Sequence, residues 1–377
     1  MRWNYREFGQ ETAGEIGPLC VPDWTGKEVL ASSPIRSMAR PMGLTSIEIC
    51  AGAGGQALGL EQAGFEHLAA VEIDRWACAT LRANRPSWNV VGPTLEDPAP
   101  FEEGPGDVKV FSADRWKGQV DLLAGGVPCP PFSVAGKQLG KADERDLFPE
   151  AIRLVGECEP RAVLLENVRG LGDPKFESYR ETIVGALDDL GYEARWKLVH
   201  ASDHNVPQLR PRMLLVAFRG DGFDHFQWPD ASGDAPTVGE TLKDLMSANG
   251  WSAVDDWASG AGTIGPTLVG GSKKHGGPDL GPTRARKAWA ELGVDGRGVA
   301  NEAPAEDFEG MPRLTVRMTA RIQGFPDSWE FSGGKTAQYR QVGNAFPPPV
   351  AKAVGLQISA ALEAQEASGY QSEPLAA

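Results

Sequence analysis

The feature that most constrains the fold is an alternation of short apolar runs and helical stretches between residues 44 and 218. The apolar runs have the length of buried strands, and the stretches between them are long enough for helices. The pattern predicts strands at about 44–50, 67–74, 120–126, 161–168 and 212–218, and helices at 56–65, 75–85, 146–160 and 177–192. Because this spacing is typical of a doubly wound α/β sheet, we predict that fold class.

The same alternation defines a domain organisation. It fails after residue 218, where Gly, Pro, Asp and Trp dominate and the signals for helices and strands are weak, and regular patterns return before the chain ends. We therefore predict a main domain at 44–218, completed by 336–366, with an inserted, irregular second domain at 219–335. Residues 1–43 form an N-terminal extension and 367–377 a C-terminal tail.

Composition excludes several classes of protein. The net charge of −14 argues against a protein that coats nucleic acid nonspecifically, although it leaves room for a local basic cleft. The chain has no apolar run of about 18 residues and no apolar core near its N-terminus, so we expect a cytoplasmic protein without membrane association. Its 5 cysteines have no CxxC spacing, which predicts neither a disulfide framework nor a metal site.

A glycine-rich loop follows the first predicted strand. Gly52, Gly54, Gly55 and Gly59 stand between that strand and the next helix, where a backbone can approach a nucleotide cofactor closely. Glu72 ends the second predicted strand about twenty residues on, where a carboxylate accepts hydrogen bonds from ribose hydroxyls. NAD and S-adenosylmethionine both contain that ribose, so these residues alone leave both cofactors open.

The stretch "GGVPCPPFSVAGK" fixes a thiol, Cys129, between prolines in a stiff loop after a strand. The simpler interpretation is a buried, inert thiol, but a nucleophilic thiol needs a fixed direction and nearby positive charge. Arg210 and Arg212 are candidates for that charge. Glu166 ends an otherwise apolar strand, where a carboxylate is either paired or functional. These residues are expected together at the ligand-binding edge of the sheet.

In this order, the motifs resemble the bacterial-type DNA (cytosine-5)-methyltransferase family. The matching blocks cover about 44–218 and 312–366, and they read "EICAGAGG", "GGVPCPPFSVAGK", "ENV", "QLRPR", "RMTARIQGFP" and "QVGNAFPPPVA". The resemblance implies a Rossmann-like S-adenosylmethionine-dependent methyltransferase sheet. It also implies that the irregular segment at 219–335 is a target-recognition domain.

The resemblance further implies a covalent mechanism on a cytosine flipped out of double-stranded DNA. The thiolate of Cys129 would add to carbon 6 of the base, while Glu166 would bind ring nitrogen 3 and the exocyclic amine. Arg212 would bind the carbonyl oxygen of the base or lie near the thiolate, and Arg210 would contact backbone phosphates. Carbon 5 would take the methyl group of S-adenosylmethionine, which leaves S-adenosylhomocysteine, and no metal takes part.

The same motifs also imply which residues of this sequence would bind the cofactor. The resemblance implies that the glycine loop lines the methionine part, Glu72 the ribose and Ile73 the adenine, with Asp107 on the adenine amine and Asp114 as a competing alignment. Leu147 and Asn344 would close the pocket. The complete set is Cys50, Ala51, Gly52, Gly54, Gly55, Glu72, Ile73, Asp107, Leu147, Asn344 and Ala345. Cys50 departs from the family, which usually has Phe there and stacks it on adenine.

DNA contacts are expected from the nucleophile loop and from a basic patch in the second domain. The candidates are Ser133, Lys137, Lys273, Lys274, Arg284, Arg286, Lys287 and Arg317. We expect a monomer that is associated with the nucleoid when it is bound to DNA, within a restriction-modification system. A cognate restriction endonuclease or another defence protein is the expected partner. The target bases cannot be derived, because recognition side chains in such a domain follow no spacing code.

Three rival functions remain. An RNA (tRNA) cytosine-5 methyltransferase of the same family typically carries a "CFT"-like stretch and a small recognition domain, and neither is visible here. A catalytically silent DNA-binding relative would not need Cys129, Glu166 and Arg212 together. An NAD oxidoreductase would have no use for the Pro-Cys loop.

Overall fold

The computed structural model describes residues 43–96, 104–128, 146–270 and 278–369. The predicted N-terminal extension at 1–43, apart from its last residue, lies outside the described residues, and so does most of the predicted tail. Among the described helices, none combines the length and the apolar character needed to cross a bilayer.

A seven-stranded sheet with the order β3-β2-β1-β4-β5-β7-β6 forms the centre of the described part. The strands from β3 to β5 in that order pair in parallel with one another, whereas β7 runs antiparallel to both β5 and β6. The strands are β1 Leu44–Ile49, β2 Phe65–Val71, β3 Val90–Val91, β4 Leu122–Gly125, β5 Ala162–Val168, β6 Tyr192–His200 and β7 Pro211–Arg219. The predicted α/β fold class is confirmed.

Helices connect the strands and cover the sheet. Those before β7 are α1 Gly55–Gln62, α2 Arg75–Asn84, α3 Phe148–Cys158 and α4 Glu177–Asp188. Those after it are α5 Gly222–His225, α6 Val238–Met246, α7 Val254–Gly260, α8 Thr283–Glu291, α9 Val316–Ile322, α10 Lys335–Asn344 and α11 Pro348–Ala367. All five predicted strands and the four predicted helices before β7 are present, with ends that differ by a few residues.

Two strands are absent from the sequence prediction. β3 has only 2 residues, too few to give a periodic signal. β6 is an edge strand whose charged residues Glu193, Arg195 and Lys197 are exposed while Ala194 and Trp196 between them are partly buried. That alternation is the signal of a half-buried strand, and it could have identified β6.

Both faces of the sheet are buried, as the continuous apolar run of β5 predicts. Val163 and Leu165 pack in one cluster with side chains of α3 and α4, whereas Ala162 and Leu164 pack in another with side chains of α1 and α11. Alternate side chains of a strand point to opposite faces, so a strand that is covered on both faces tends to be apolar at successive positions. In β5 the first charged residue is Glu166, near the carboxyl end of the strand.

The segment predicted as irregular contains short helices. In its described part, α5 to α9 are joined by irregular connections and no strand extends beyond isolated bridges. Trp251, Trp257 and Trp289 lie in a separate buried cluster there. α6 begins at a capping box in which Thr237 and Glu240 bind each other's backbone N–H groups, a start signal that the sequence prediction missed. The boundaries 219 and 335 stay a prediction.

Candidate active site

The candidate active site lies where the parallel strands end. The segments that follow β1, β2 and β4, together with the end of β5, line a cavity of about 440 Å³. That volume is in the range of sites that bind small ligands, and the carboxyl edge is where such sheets hold them. Every predicted cofactor residue except Gly54 lines this cavity: Cys50, Ala51, Gly52, Gly55, Glu72, Ile73, Asp107, Leu147, Asn344 and Ala345.

The glycines at 54 and 55 let the loop after β1 lie against its neighbours. Gly54 has a φ of 85°, in the left-handed region that favours glycine. A Cβ on Gly54 would lie 2.7 Å from Cδ2 of Leu81, and one on Gly55 would lie 2.2 Å from the carbonyl oxygen of Phe346. Gly54 therefore packs the loop against α2 rather than lining the cavity.

Glu72 joins the loops that follow β1 and β2. Its Oε2 accepts a hydrogen bond from the backbone N–H of Gly52 at 2.6 Å, and its Oε1 accepts one from Asp74 at 2.7 Å. Burial raises the pKa of Glu72, and these two N–H groups partly oppose that effect. The carboxyl group is thus held at the cavity wall, in the position predicted to bind ribose hydroxyls.

The described lining of the cavity carries more acidic than basic groups. Five carboxyl groups and one guanidinium contribute to it: Glu48, Glu72, Asp74, Asp107, Glu166 and Arg340. Burial favours the protonated form of Glu48, but the other carboxyl groups still outnumber the one guanidinium. Such a lining favours a ligand that bears positive charge, because unlike charges attract strongly at a partly desolvated site. A nucleoside with a sulfonium and an ammonium group fits this lining better than a dinucleotide with two phosphates.

Glu166 forms an ion pair at the same edge of the sheet. Its Oε1 lies 2.7 Å from Nε of Arg212, and both side chains are only 12% exposed. Arg212 also donates from Nη1 to the carbonyl oxygen of Pro211 at 2.9 Å. A Cβ on Gly126 would lie 3.3 Å from Oε2 of Glu166, so the segment after β4 reaches this carboxylate as well.

The described residues on the two sides of the predicted nucleophile are tied to each other and to the end of β5. The amide of Asn167 donates to the carbonyl oxygen of Val127 at 2.8 Å, which ties the end of β5 to the segment before the loop. The backbone N–H of Leu147 donates to the carbonyl oxygen of Pro128 at 3.2 Å. Cys129 lies outside the described residues, as do Ser133 and Lys137.

Comparison with known proteins decides the family. The family described as C-5 cytosine-specific DNA methylase matches residues 44–360. The chain belongs to the C-5 cytosine-specific DNA methylase family. The type II methyltransferase M.NaeI of Lentzea aerocolonigenes is 57% identical over 322 residues, which are 85% of this methylase and 75% of that protein. M.NgoMIV of Neisseria gonorrhoeae is 55% identical over 85% of this chain and 99% of its own length.

Solved structures with lower sequence identity share the fold. The Entamoeba histolytica methyltransferase EhMeth is 15% identical with a TM-score of 0.56, and the match covers 84% of the methylase and 97% of that chain. The S. pombe Dnmt2 methyltransferase is 17% identical with a TM-score of 0.54, over 85% and 99% of the two chains. At this identity the likeness shows the architecture alone.

One predicted catalytic residue of the methylase needs correction. Arg210 was expected to contact DNA phosphates beside Arg212, but its side chain is fully buried. Its Nη1 donates to the carbonyl oxygen of Leu268, and its Nη2 donates to those of Gly343 and Ala345. Arg210 precedes β7, which begins at Pro211, so the strand alternation that would align it with Arg212 does not hold.

Of the two acidic residues considered for the adenine amine, only one lines the cavity of the methylase. Asp107 lines the cavity, whereas Asp114 begins an exposed 3₁₀ turn and accepts a hydrogen bond from the hydroxyl of Ser112. Cys50 also lines the cavity, and burial raises the pKa of its thiol above the ordinary range. Cys50 therefore stays protonated at neutral pH and is no candidate for a second nucleophile.

The residues that were predicted to contact DNA differ in how exposed they are. Arg284 and Lys287 are exposed on α8, and Arg286 is partly buried and donates to the hydroxyl of Thr283 at 3.3 Å. The Nη1 of Arg317 donates to two backbone carbonyl oxygens, the closer of them that of Trp329 at 2.9 Å. Lys273 and Lys274 lie outside the described residues.

Five polar or charged residues that line the cavity were absent from the predicted set: Glu48, Gln56, Asp74, Arg340 and Gln341. Gln56 directly follows the glycine loop, and Arg340 stands one helical turn before Asn344, so motif spacing gave a signal for both. Within the four described ranges, no group of His, Cys, Asp and Glu side chains is arranged to hold a metal ion.

Proposed function

We propose that this methylase transfers a methyl group from S-adenosylmethionine to carbon 5 of cytosine in a specific sequence of double-stranded DNA. The observation that supports this most directly is that Glu166 and Glu72 line one cavity. The first is the acid proposed to hold the base, and the second is the acid proposed to hold the cofactor ribose. A shared cavity brings the acceptor carbon and the methyl donor within reach of each other.

The cofactor would be held by the glycine loop, Glu72, Ile73, Asp107 and Asn344. The acidic lining and the buried carboxyl of Glu72 suit an adenosyl group with a positively charged tail. When bound, S-adenosylmethionine supplies an electrophilic methyl group and leaves as S-adenosylhomocysteine. The chain's own part is to orient that group and to exclude water from the reacting atoms.

Glu166 and Arg212 would hold the target base. The carboxyl of Glu166 would bind ring nitrogen 3 and the exocyclic amine, which favours the protonated ring as electrons move toward it. Arg212, already paired with Glu166 at 2.7 Å, fixes the direction of that carboxyl and offers its remaining N–H groups to the carbonyl oxygen of the base.

Cys129 would act as the nucleophile. Its thiolate forms a bond to carbon 6, and the displaced double-bond electrons make carbon 5 nucleophilic. After carbon 5 has been methylated, loss of its proton lets the carbon–sulfur bond break and returns the thiolate. This face of the base is inaccessible inside a duplex, so the cytosine must be flipped out of the stack.

The domain roles follow from these positions. Residues 44–218 with 336–366 would hold the cofactor and the chemistry, and 219–335 would read the target sequence. The relatives named above are type II methyltransferases, and we propose that this monomeric enzyme likewise protects cytoplasmic, nucleoid-associated DNA. Its partner in that role is a restriction endonuclease of the same specificity.

The function is tested with labelled S-adenosylmethionine and a library of DNA duplexes, followed by mapping of the methylated cytosines. We expect transfer to one short sequence. Transfer to tRNA with none to any duplex would contradict the proposal.

A second experiment tests the covalent step with DNA that carries 5-fluorocytosine at the mapped site. Fluorine cannot leave carbon 5 as a proton does, so the enzyme and the DNA remain joined in a complex that survives denaturation. Cys129→Ser is expected to abolish that complex, whereas the matched control Cys20→Ser, in the N-terminal extension, should retain it. A complex formed by Cys129→Ser would show that another residue is the nucleophile.

A further inference from the structure

Asp295 joins two arginines in the described part of the predicted recognition domain. Its Oδ1 accepts a hydrogen bond from Nε of Arg297 at 2.8 Å, and its Oδ2 accepts bonds from Nη2 of Arg297 at 3.1 Å and from Nε of Arg313 at 2.9 Å. The side chain of Asp295 is only 12% exposed, whereas that of Arg297 is 74% exposed. Because an exposed arginine gains little stability from an ion pair, folding alone does not explain this cluster.

The pairing with Asp295 leaves one edge of the Arg297 guanidinium open. Nε and Nη2 both donate to the carboxylate, and Nη1 has no hydrogen-bond partner among the described residues. Nη1 and the second N–H of Nη2 therefore form a planar pair of donors that faces away from Asp295. The backbone N–H of Arg297 donates to the same carboxyl group at 3.0 Å. A guanidinium whose direction is already fixed loses less side-chain entropy when it binds a ligand.

The neighbours of Arg297 include the basic helix α8. Gly296 precedes Arg297 directly, and a Cβ on Gly296 would lie 3.3 Å from Cα of Arg286 on that helix. Arg284 and Lys287, which are exposed on α8, are predicted to contact DNA. Contacts to phosphates set the position of a protein on a duplex, and contacts to base edges recognise the sequence. A fixed pair of donors beside phosphate-binding cations is therefore suited to a base edge.

We propose that Arg297 binds a guanine of the target sequence in the major groove, and that Asp295 positions Arg297 for this contact. The inference rests on the proposed function, because it assumes that the methylase acts on a specific sequence of double-stranded DNA. Guanine presents two acceptors, O6 and N7, side by side at its major-groove edge, and they match the donor pair of an arginine. Adenine and cytosine each present a donor at that edge, and thymine presents a methyl group. Arg297 thereby distinguishes guanine from the other three bases.

The experiment removes a single acceptor from the proposed ligand. After the methylated sequence has been mapped, 7-deazaguanine replaces each guanine of the target duplex in turn, which removes the N7 acceptor. Fluorescence anisotropy at several salt concentrations measures binding by the wild type, Arg297→Met and Asp295→Asn. The matched control is Arg195→Met, since Arg195 is an exposed arginine on β6 that also pairs with the acid two residues before it, Glu193.

At one guanine, 7-deazaguanine is expected to weaken wild-type binding by about tenfold to a hundredfold, because a hydrogen bond from a charged group is lost. Arg297→Met should bind the natural target more weakly by a similar factor and should be insensitive to 7-deazaguanine at that position, with an unchanged salt slope. Asp295→Asn should show a smaller effect of 7-deazaguanine there, although loss of a negative charge by itself favours DNA binding. Arg195→Met should behave as the wild type.

Thermal unfolding of the free variants separates recognition from folding. Arg297→Met should unfold at nearly the wild-type temperature, because its side chain is exposed. Wild-type binding that is insensitive to 7-deazaguanine at every position, or an Arg297→Met variant that keeps the wild-type sensitivity, would overturn the role of Arg297. An equal loss for all duplexes with a salt slope reduced by about 1 would show a phosphate contact instead. A wild type that methylates no duplex would contradict the proposed function, and that result precedes any test of the variants.

Discussion

Glu166 on β5 and Arg212 on β7 lie 2.7 Å apart because their strands run in opposite directions. β5 reaches the active-site edge at its carboxyl end, and β7 starts from that edge because it is antiparallel. The register places Arg212 opposite Val168, two residues beyond Glu166, and the long guanidinium side chain spans that diagonal. The reversed strand therefore brings a cation to the edge where the parallel strands end.

This pairing predicts that both of its members are needed for methyl transfer. Glu166→Gln should lower methyl transfer by about 10²- to 10⁴-fold, the usual range for loss of a positioned acid or base. S-adenosylhomocysteine affinity should be almost unchanged, since Glu166 acts on the base. Arg212→Met should impair transfer as well, because it leaves Glu166 unpaired. Single-turnover rates measure both effects. Glu193→Gln, exposed on β6, is the control, and an active Glu166→Gln enzyme would contradict the assignment.

Arg210 is predicted to act on stability rather than on DNA affinity. Arg210→Met leaves three buried carbonyl oxygens without their donor, which should destabilise the fold by about 2–4 kcal/mol. Urea unfolding measures this loss, and Arg284→Met, on the exposed face of α8, should leave stability almost unchanged. If Arg210→Met instead kept its stability and lowered the salt dependence of DNA binding, the phosphate role would be restored.

The exposed cations of α8 are predicted to contact DNA phosphates. Arg284→Ser and Lys287→Ser should each weaken binding of the target duplex and reduce the slope of log affinity against log salt by about 1. Fluorescence anisotropy at several salt concentrations measures that slope. Lys352→Ser on α11 removes the same charge elsewhere and should leave it unchanged. Equal slopes for all these variants would show that α8 faces away from the DNA.

Glu48 is predicted to make stability depend on pH. Burial raises the pKa of Glu48 well above its ordinary value, so the folded state holds a proton that the unfolded chain releases. The stability contributed by Glu48 is complete below the unfolded pKa and is lost as the pH rises through the folded pKa. Glu48→Gln stays neutral, so its stability relative to the wild type should increase over the range from about pH 5 upward. A constant difference in thermal unfolding across this range would contradict the prediction.

Two helical glycines are predicted to respond in opposite ways to Ala. A Cβ on Gly59 would lie 2.4 Å from the carbonyl oxygen of Pro348 and 2.5 Å from Cβ of Ala351, where α1 packs on α11. Gly59→Ala should therefore destabilise the fold by about 1–3 kcal/mol through overpacking. Gly185, in α4, has no atom near such a Cβ, so Gly185→Ala should stabilise by about 1 kcal/mol. Chemical denaturation measures both changes, and a stabilising Gly59→Ala would mean that α1 and α11 are packed less closely.

The sequence by itself determined the alternating fold and the glycine loop, and it predicted the residues of the site. Such features are local: apolar runs, turn residues and a thiol between prolines can be read from neighbours along the chain. Glu166 was identified because a charged residue ends an apolar strand, a pattern that needs no knowledge of distant contacts.

The tertiary structure alone decided what depends on residues far apart in sequence. The reversal of β7 sets the partner of Glu166, and burial beneath the carbonyl oxygens of Leu268, Gly343 and Ala345 makes Arg210 structural. Arg340 and Gln341 reach the cavity only because α10 packs beside the ends of the parallel strands. Strand direction, burial and unpaired polar groups arise from long-range packing, which leaves no local signature in the chain.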